Sequence, residues 1–178
     1  MIKQIRAPFF LLLSVFSIPT FTYSQSSFSK RHSEVISYKD SIDHISDTTI
    51  KTLTNGDFTI EVYESGSQLK GIYHKGKLIK IEVWFGLSYG INTCTYYLKN
   101  DKLLLATESF KGYHYDEAST SFDYTSFDIS HEGWYLFVRD KLIDQESLGH
   151  WRFEDDELDA EKVLMEEFNR YISLLETK

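Results

Sequence analysis

Three times along the chain an aromatic residue runs through a short polar turn into Lys-Leu and one more apolar residue. Tyr73 leads through His74-Lys75-Gly76 to Lys77-Leu78-Ile79, Tyr97 through Leu98-Lys99-Asn100-Asp101 to Lys102-Leu103-Leu104, and Phe137 through Val138-Arg139-Asp140 to Lys141-Leu142-Ile143. Connections this short join only antiparallel neighbours, because a parallel pair needs a crossover of roughly a dozen residues or more. The formula therefore dictates hairpins in an antiparallel sheet. Turn chemistry alone explains it, so it carries no catalytic meaning. The copies are unequally spaced, Lys77 to Lys102 and then Lys102 to Lys141, which argues against a regular solenoid.

Asn55-Gly56 adds a further hairpin signal, since both residues tolerate the positive φ of a type I′ turn. The arms it predicts are Thr48–Thr54 and Asp57–Glu64, the second with Phe58, Ile60 and Val62 alternating against Thr59, Glu61 and Tyr63. Ser65-Gly66-Ser67 turns the chain into a strand over 68–75. Beyond Lys75-Gly76, Leu78, Lys80, Glu82 and Trp84 share one face, and Ile79, Ile81, Val83 and Phe85 the other, which is expected to face the core. A loop over 86–90, strands over 92–99 and 102–110, and a last hairpin of 134–139 with 141–146 complete the rhythm. Residues 111–133 interrupt it as a long excursion rich in Tyr and Phe, with a weaker strand around 122–129.

Two helices flank the strands. Val35, Tyr38, Ile42 and Ile45 fall at helical spacing behind Ser33, predicting a short helix over 33–45. Leu164, Phe168, Tyr171, Ile172 and Leu175 form an apolar stripe wide enough to cover one face of a sheet, with the acidic run Glu154-Asp155-Asp156-Glu157 supplying the cap and favourable charge at the helix start. The fold class is α+β, mainly antiparallel β: a curved meander sheet of about seven or eight strands, packed by the C-terminal helix and by the short N-terminal one. The 16% aromatic content suits such a sheet.

The first residues address the chain. Met1 to Arg6 is short and cationic, and Ala7 to Ile18 is an apolar run too brief to span a bilayer comfortably, so residues 1–24 read as a signal peptide cleaved after Ser24. An uncleaved anchor helix is the competing reading, disfavoured because about 20 apolar residues are normally needed. Residues 25–32 then form a flexible Ser-rich leader, and 33–178 a single domain, long enough to bury a core without metals or disulfides. Cleavage takes Lys3 and Arg6 from a formal charge of -8, leaving about -10. That charge, without a basic cluster, excludes a nucleic-acid partner. The lone Cys94 precludes an internal disulfide, and no cysteine stands near the cleavage point to carry lipid. These features point to a periplasmic or secreted bacterial protein with no integral membrane segment after cleavage. Cys94 itself reads as a small apolar filler in a strand rather than a reactive thiol.

The order of signal peptide, short helix, hairpins carrying YYLKNDKLLLATES and WYLFVRDKLIDQES, and amphipathic C-terminal helix resembles small uncharacterised exported proteins of Gram-negative bacteria. Those proteins repeat hairpins in which an aromatic residue precedes a Gly, Asn or Asp turn and Lys-Leu. The resemblance covers most of 33–175 and implies no catalytic residue.

Chemistry-bearing motifs are few. There is no Gly-x-Ser-x-Gly elbow and no Gly-rich phosphate loop, so neither a nucleophilic triad nor a nucleotide cofactor is implied. His114-Tyr115-Asp116-Glu117 and His131-Glu132 are the best imidazole and carboxylate groupings, yet they lack the paired spacing of structural zinc sites and read as solvated loop residues. Asp155, Asp156, Glu157 and Asp159 lack the glycine turn of a calcium loop. No metal, cofactor or catalytic residue is assigned. The least ordinary feature is the aromatic excursion, where Tyr113, Tyr115, Tyr124, Trp134 and Tyr135 form a candidate recognition surface for a protein or glycan. The competing reading puts those rings into the core and cross-strand pairs of a Tyr-rich sheet. The expected function is an exported, non-enzymatic binding or interaction protein. The alternatives are a small exported hydrolase using acids or His114 and His131, and a structural envelope component. The oligomeric state is not encoded in any of these signals.

Overall fold

A computed structural model describes residues 27–63, 65–149, 152–153 and 157–177. Residues 1–24, expected from the sequence to be a signal peptide, lie outside them. Helices α1 (Ser27–Arg31) and α2 (Ser33–Asp43) lead into seven strands, β1 (Thr49–Thr54), β2 (Ser67–His74), β3 (Lys77–Leu87), β4 (Gly90–Lys99), β5 (Lys102–Asp116), β6 (Ser121–Val138) and β7 (Lys141–Gly149), and helix α3 (Ala160–Thr177) ends the chain. The strands form one antiparallel meander in sequence order, β1 to β7. The sheet is open, and its edge strands β1 and β7 do not pair with each other.

The repeated hairpin formula has a single geometric content. Lys75-Gly76, Asn100-Asp101 and Arg139-Asp140 all have positive φ at both turn residues, the type I′ requirement. In each hairpin the Lys-Leu pair stays in register and the next residue is skipped. Tyr73 faces Leu78 but Ile72 faces Lys80; Leu98 faces Leu103 but Tyr97 faces Leu105; Phe137 faces Leu142 but Leu136 faces Asp144. Ile79, Leu104 and Ile143 are therefore β-bulges, each of which flips the side-chain alternation by one residue. This corrects the expected faces of β3, because Leu78 packs with Ile81, Val83 and Phe85 in one core while Ile79 joins the core on the opposite face.

Two cores result. On one face Leu69, Ile81, Val83, Cys94, Tyr96, Leu103, Ala106, Tyr135 and Phe137 pack under the α3 stripe of Leu164, Phe168, Tyr171 and Leu175. On the other, Tyr97, Leu105 and Leu136 pack under Phe28 and Ile42 of α1 and α2. The expected flexible leader is thus partly a helical turn, because Phe28 is wholly buried and lies 5.8 Å from the Trp134 ring. Arg31 and His32 then anchor it to Asp144 of β7.

Two other expectations change. Among the described residues of the expected 57–64 arm, 57–63 do not form a strand, although Asn55 does take positive φ. The Asn55 side-chain oxygen accepts from the Ser67 backbone N–H (2.9 Å) and hydroxyl (3.0 Å), and the Asp57 carboxylate accepts from Thr54 N–H. These side-chain bonds compete with a ladder at that point. β1 pairs instead with β2, which brings buried Leu53 opposite buried Leu69, while Ile60 and Val62 stand fully in solvent. Helix α3 is capped by Asp159, whose Oδ1 accepts from Lys162 N–H at 3.1 Å. The expected capping residues 154–156 lie outside the described residues.

Candidate functional site

The excursion over 111–133 is not a loop. β4 stops pairing with β5 at Gly112, and β7 stops pairing with β6 at His131, but β5 and β6 run on together past the sheet. The result is a two-stranded arm, closed by a turn over 117–120, at the opposite end of the sheet from the three type I′ turns. Alternation along extended strands puts Tyr113 and Tyr115 on one face and His114 and Asp116 on the other.

Five rings form one continuous chain of contacts along the arm. Tyr113 stacks on Phe127 at 5.0 Å and meets Tyr124 edge-on at 4.9 Å; Tyr115 meets Phe122 edge-on at 5.3 Å, and Phe122 reaches Tyr124 at 6.5 Å. A register shift between Tyr113 and His114 places Phe127 opposite Tyr113 and Phe122 opposite Tyr115, so Tyr124 belongs to the extra length on β6. Tyr115, Tyr124 and Phe127 remain 48%, 61% and 44% exposed, which marks the ladder as a surface rather than a core. On the other face His114 Nδ1 lies 3.2 Å from Asp128 Oδ2. From Tyr113 to Asp128 the arm carries Asp116, Glu117, Asp123 and Asp128 and no Lys or Arg.

The sequence-derived surface is therefore divided. Tyr113, Tyr115 and Tyr124 come together on the arm. Trp134 and Tyr135 belong to the sheet: Trp134 packs under α1, and Tyr135, 2% exposed, faces the α3 core. Adjacent residues of a strand cannot share a face, so no surface holds both. Phe122 and Phe127, which the sequence reading left out of the set, complete the ladder. His114 and His131 are likewise separated, since His114 stands in solvent on the arm while His131 is buried opposite Phe110.

A second grouping was missed altogether. Glu108 of β5, almost fully buried, meets the Arg152 guanidinium, which also donates to Glu167 of α3 at 2.6 and 2.9 Å. Tyr96 donates to Glu167 at 2.7 Å. Burial pushes the Glu108 carboxyl up, and the Arg152 charge opposes that shift. The Cys94 sulfur and one oxygen each of Glu108 and Glu167 lie within 4.8 Å of one another, a spacing that suits a metal ion. The guanidinium already donates to both carboxylates, so the cation of this cluster is Arg152. Burial, with Glu108 next, raises the Cys94 thiol well above its ordinary range, which keeps it an inert thiol. The sequence signal was present, because Glu108 sits two residues from Ala106 and from Phe110 on the core-facing alternation of β5.

Next to this cluster lies a cleft of about 420 Å³ between residues 59–63, the inner ends of β3 and β4, and α3. Phe85, Tyr63 and Tyr171 supply apolar wall, and Arg170, Glu61 and Asn92 supply polar groups. Tyr63 donates its hydroxyl to Glu61; burial first, and the Glu61 carboxylate next, push its pKa up to about 12.

No protein-family model, no curated protein and no solved structure matches the chain. Among the described residues, no helix is long and apolar enough to cross a membrane.

Proposed function

We propose that the protein is an exported, non-enzymatic binding protein whose recognition element is the β5–β6 arm. The observation that carries this reading is the aromatic ladder, whose rings make their contacts with one another while three of them stay about half exposed. Isolated two-stranded ribbons are marginal in water, so an arm of this length with an apolar face gains most from being covered. Aromatic side chains give large contact area at small entropic cost.

The partner that suits the arm best is a protein. Among the described residues, the outer edges of the ribbon pair with no strand between Tyr113 and Asp128, which leaves backbone donors and acceptors for an added strand. The four carboxylates and absent Lys and Arg favour a neutral or basic surface over an anionic one. A photo-crosslinking phenylalanine analogue placed at Tyr124 tests this in intact cells. The expected result is a discrete protein adduct that disappears with Phe127→Ser. A glycan adduct, or a protein adduct unchanged by Phe127→Ser, overturns the assignment.

A further inference from the structure

β4 begins at Gly90, while its neighbour β5 runs on to Asp116, so a gap one strand wide opens beside the arm, in line with β4. The first rung across that gap is filled, because Tyr113 donates its N–H to the Tyr89 carbonyl at 2.9 Å. Strand alternation turns the N–H and C=O of Tyr115 to the same side as those of Tyr113, and those of His114 toward β6. Among the described residues the two Tyr115 backbone groups have no hydrogen-bond partner. Tyr115 is 48% exposed, so an incoming chain reaches this edge. The other edge of the arm is irregular: β6 carries its extra length between Asp123 and Phe127, and Asp123 takes the Thr125 N–H and hydroxyl. The β5 side is therefore the straight edge onto which a ladder can continue.

We infer that the β5 edge of the arm takes up an extended segment of a partner protein as an added antiparallel strand in line with β4, and that this segment alternates apolar with basic residues. The residue bonded to Tyr115 points its side chain to the face of Tyr113 and Tyr115, where the aromatic ladder receives it. Its neighbours in the segment point to the opposite face, that of His114, Asp116 and Asp123. Asp116 and Asp123 keep the hydrogen bonds of their own turns, so they supply a negative field rather than contacts, and that field selects Lys and Arg. The same field rejects a second copy of this edge, which would set Asp116 and Glu117 against their own images. The inference rests on the reading of the arm as the recognition element, and adds the edge used, the strand direction and the residue pattern of the partner.

The test titrates the isotope-labelled full chain with the end-blocked peptide Ser-Val-Lys-Val-Lys-Val-Ser and follows its backbone amides by NMR. The expected result is saturation by about 1 mM, with exchange of the Tyr115 amide slowed about tenfold or more and that of His114, already turned to β6, unchanged. N-methylation of the valine amides removes the donors that face Tyr115 and should weaken binding about tenfold or more, the scale of a lost main-chain hydrogen bond with the added clash. N-methylation of the lysine amides, which point away from β5, should be tolerated. Replacing both lysines by glutamate should also weaken binding about tenfold or more. The inference is overturned if the peptide does not saturate, if valine methylation leaves binding intact, or if the glutamate peptide binds as well. A protein adduct at Tyr124 obtained together with any of these results keeps the arm as the recognition element and removes the edge from it.

Discussion

Tyr96 and Tyr97 are neighbours in β4, yet their hydroxyls bind helices on opposite faces of the sheet: Tyr96 donates to Glu167 of α3 at 2.7 Å, and Tyr97 to Asp43 at the end of α2 at 3.1 and 3.2 Å. Both rings are buried. One dipeptide thus clamps the three layers together, each half through a hydrogen bond to a carboxylate. Tyr96→Phe and Tyr97→Phe should each lower unfolding free energy by about 1.5 kcal/mol, the worth of a hydrogen bond to a charged group. The double variant should be additive within about 0.5 kcal/mol in urea titrations, because the two acceptors share no partner.

Asp43 gives the fold a defined acid response. Burial works to raise its pKa, but hydrogen bonds and charge from Lys39 and Lys80, each at 2.9 Å, hold it below the ordinary carboxylate value. A carboxyl depressed in the folded state contributes stability above its unfolded pKa and loses it as pH falls through the folded one. Stability measured from pH 7 downward should therefore decline below about pH 4, the unfolded Asp value. Asp43→Asn should be less stable than the parent at neutral pH and show a shallower decline.

The Glu108–Arg152–Glu167 cluster predicts a large single-site effect. Removing the guanidinium leaves Glu108 buried without its cation, so Arg152→Met should cost about 3 kcal/mol. Adding Glu108→Gln to that variant should recover part of the loss, since the uncompensated charge goes with it. Equal losses in the single and double variants would show that the cost lies in packing.

Gly86 sets how closely the 55–66 connection approaches the sheet. It donates its N–H to Gly66 and accepts from Ser65, and a methyl group built on it would stand 2.5 Å from Ser65 Cβ and 2.9 Å from the Ser65 carbonyl carbon. Gly86→Ala should displace this segment, loosen buried Phe58 and cost about 1–3 kcal/mol. Faster amide exchange confined to residues 58–66 and the facing part of β3 would confirm the route.

The arm should be dispensable for folding. Its rings contact one another, and its ladder beyond Tyr113 involves only β5 and β6. Replacing residues 113–127 by an Asn-Gly turn between Gly112 and Asp128, which face each other, should change stability by less than about 1 kcal/mol. A large loss of stability would mean that the ladder belongs to the core.

Local chemistry determined much of this molecule from sequence alone. Positive-φ turn pairs such as Asn100-Asp101 and period-two alternation through β3, β4 and β5 specify hairpins, and hairpins in succession specify a meander. The α3 stripe from Leu164 to Leu175 and the burial of Cys94 follow from the same periodicities. These properties are encoded by neighbours a few residues apart, so a linear reading reaches them.

Only the tertiary structure decided the rest, because the deciding contacts join residues far apart in the chain. The bulges at Ile79 and Leu104 hand the apolar residues of β3 and β5 to two different cores, and the one at Ile143 turns that side chain to solvent, which alternation by itself cannot show. Asn55 turned from a hairpin residue into the anchor of Ser67 because β1 found a better partner in β2. Phe28 left an unremarkable Ser-rich segment to fill the space beside Trp134. The aromatic residues of the excursion looked like one group, and pairing registers separated them: Tyr113, Tyr115 and Tyr124 went to a projecting arm, while Trp134 and Tyr135 went to opposite faces of the sheet. The cleft bearing Arg170, Glu61 and Asn92 is assembled from α3, an irregular connection and β4. Nothing in their sequence spacing brings them together; the packing of α3 across the sheet does.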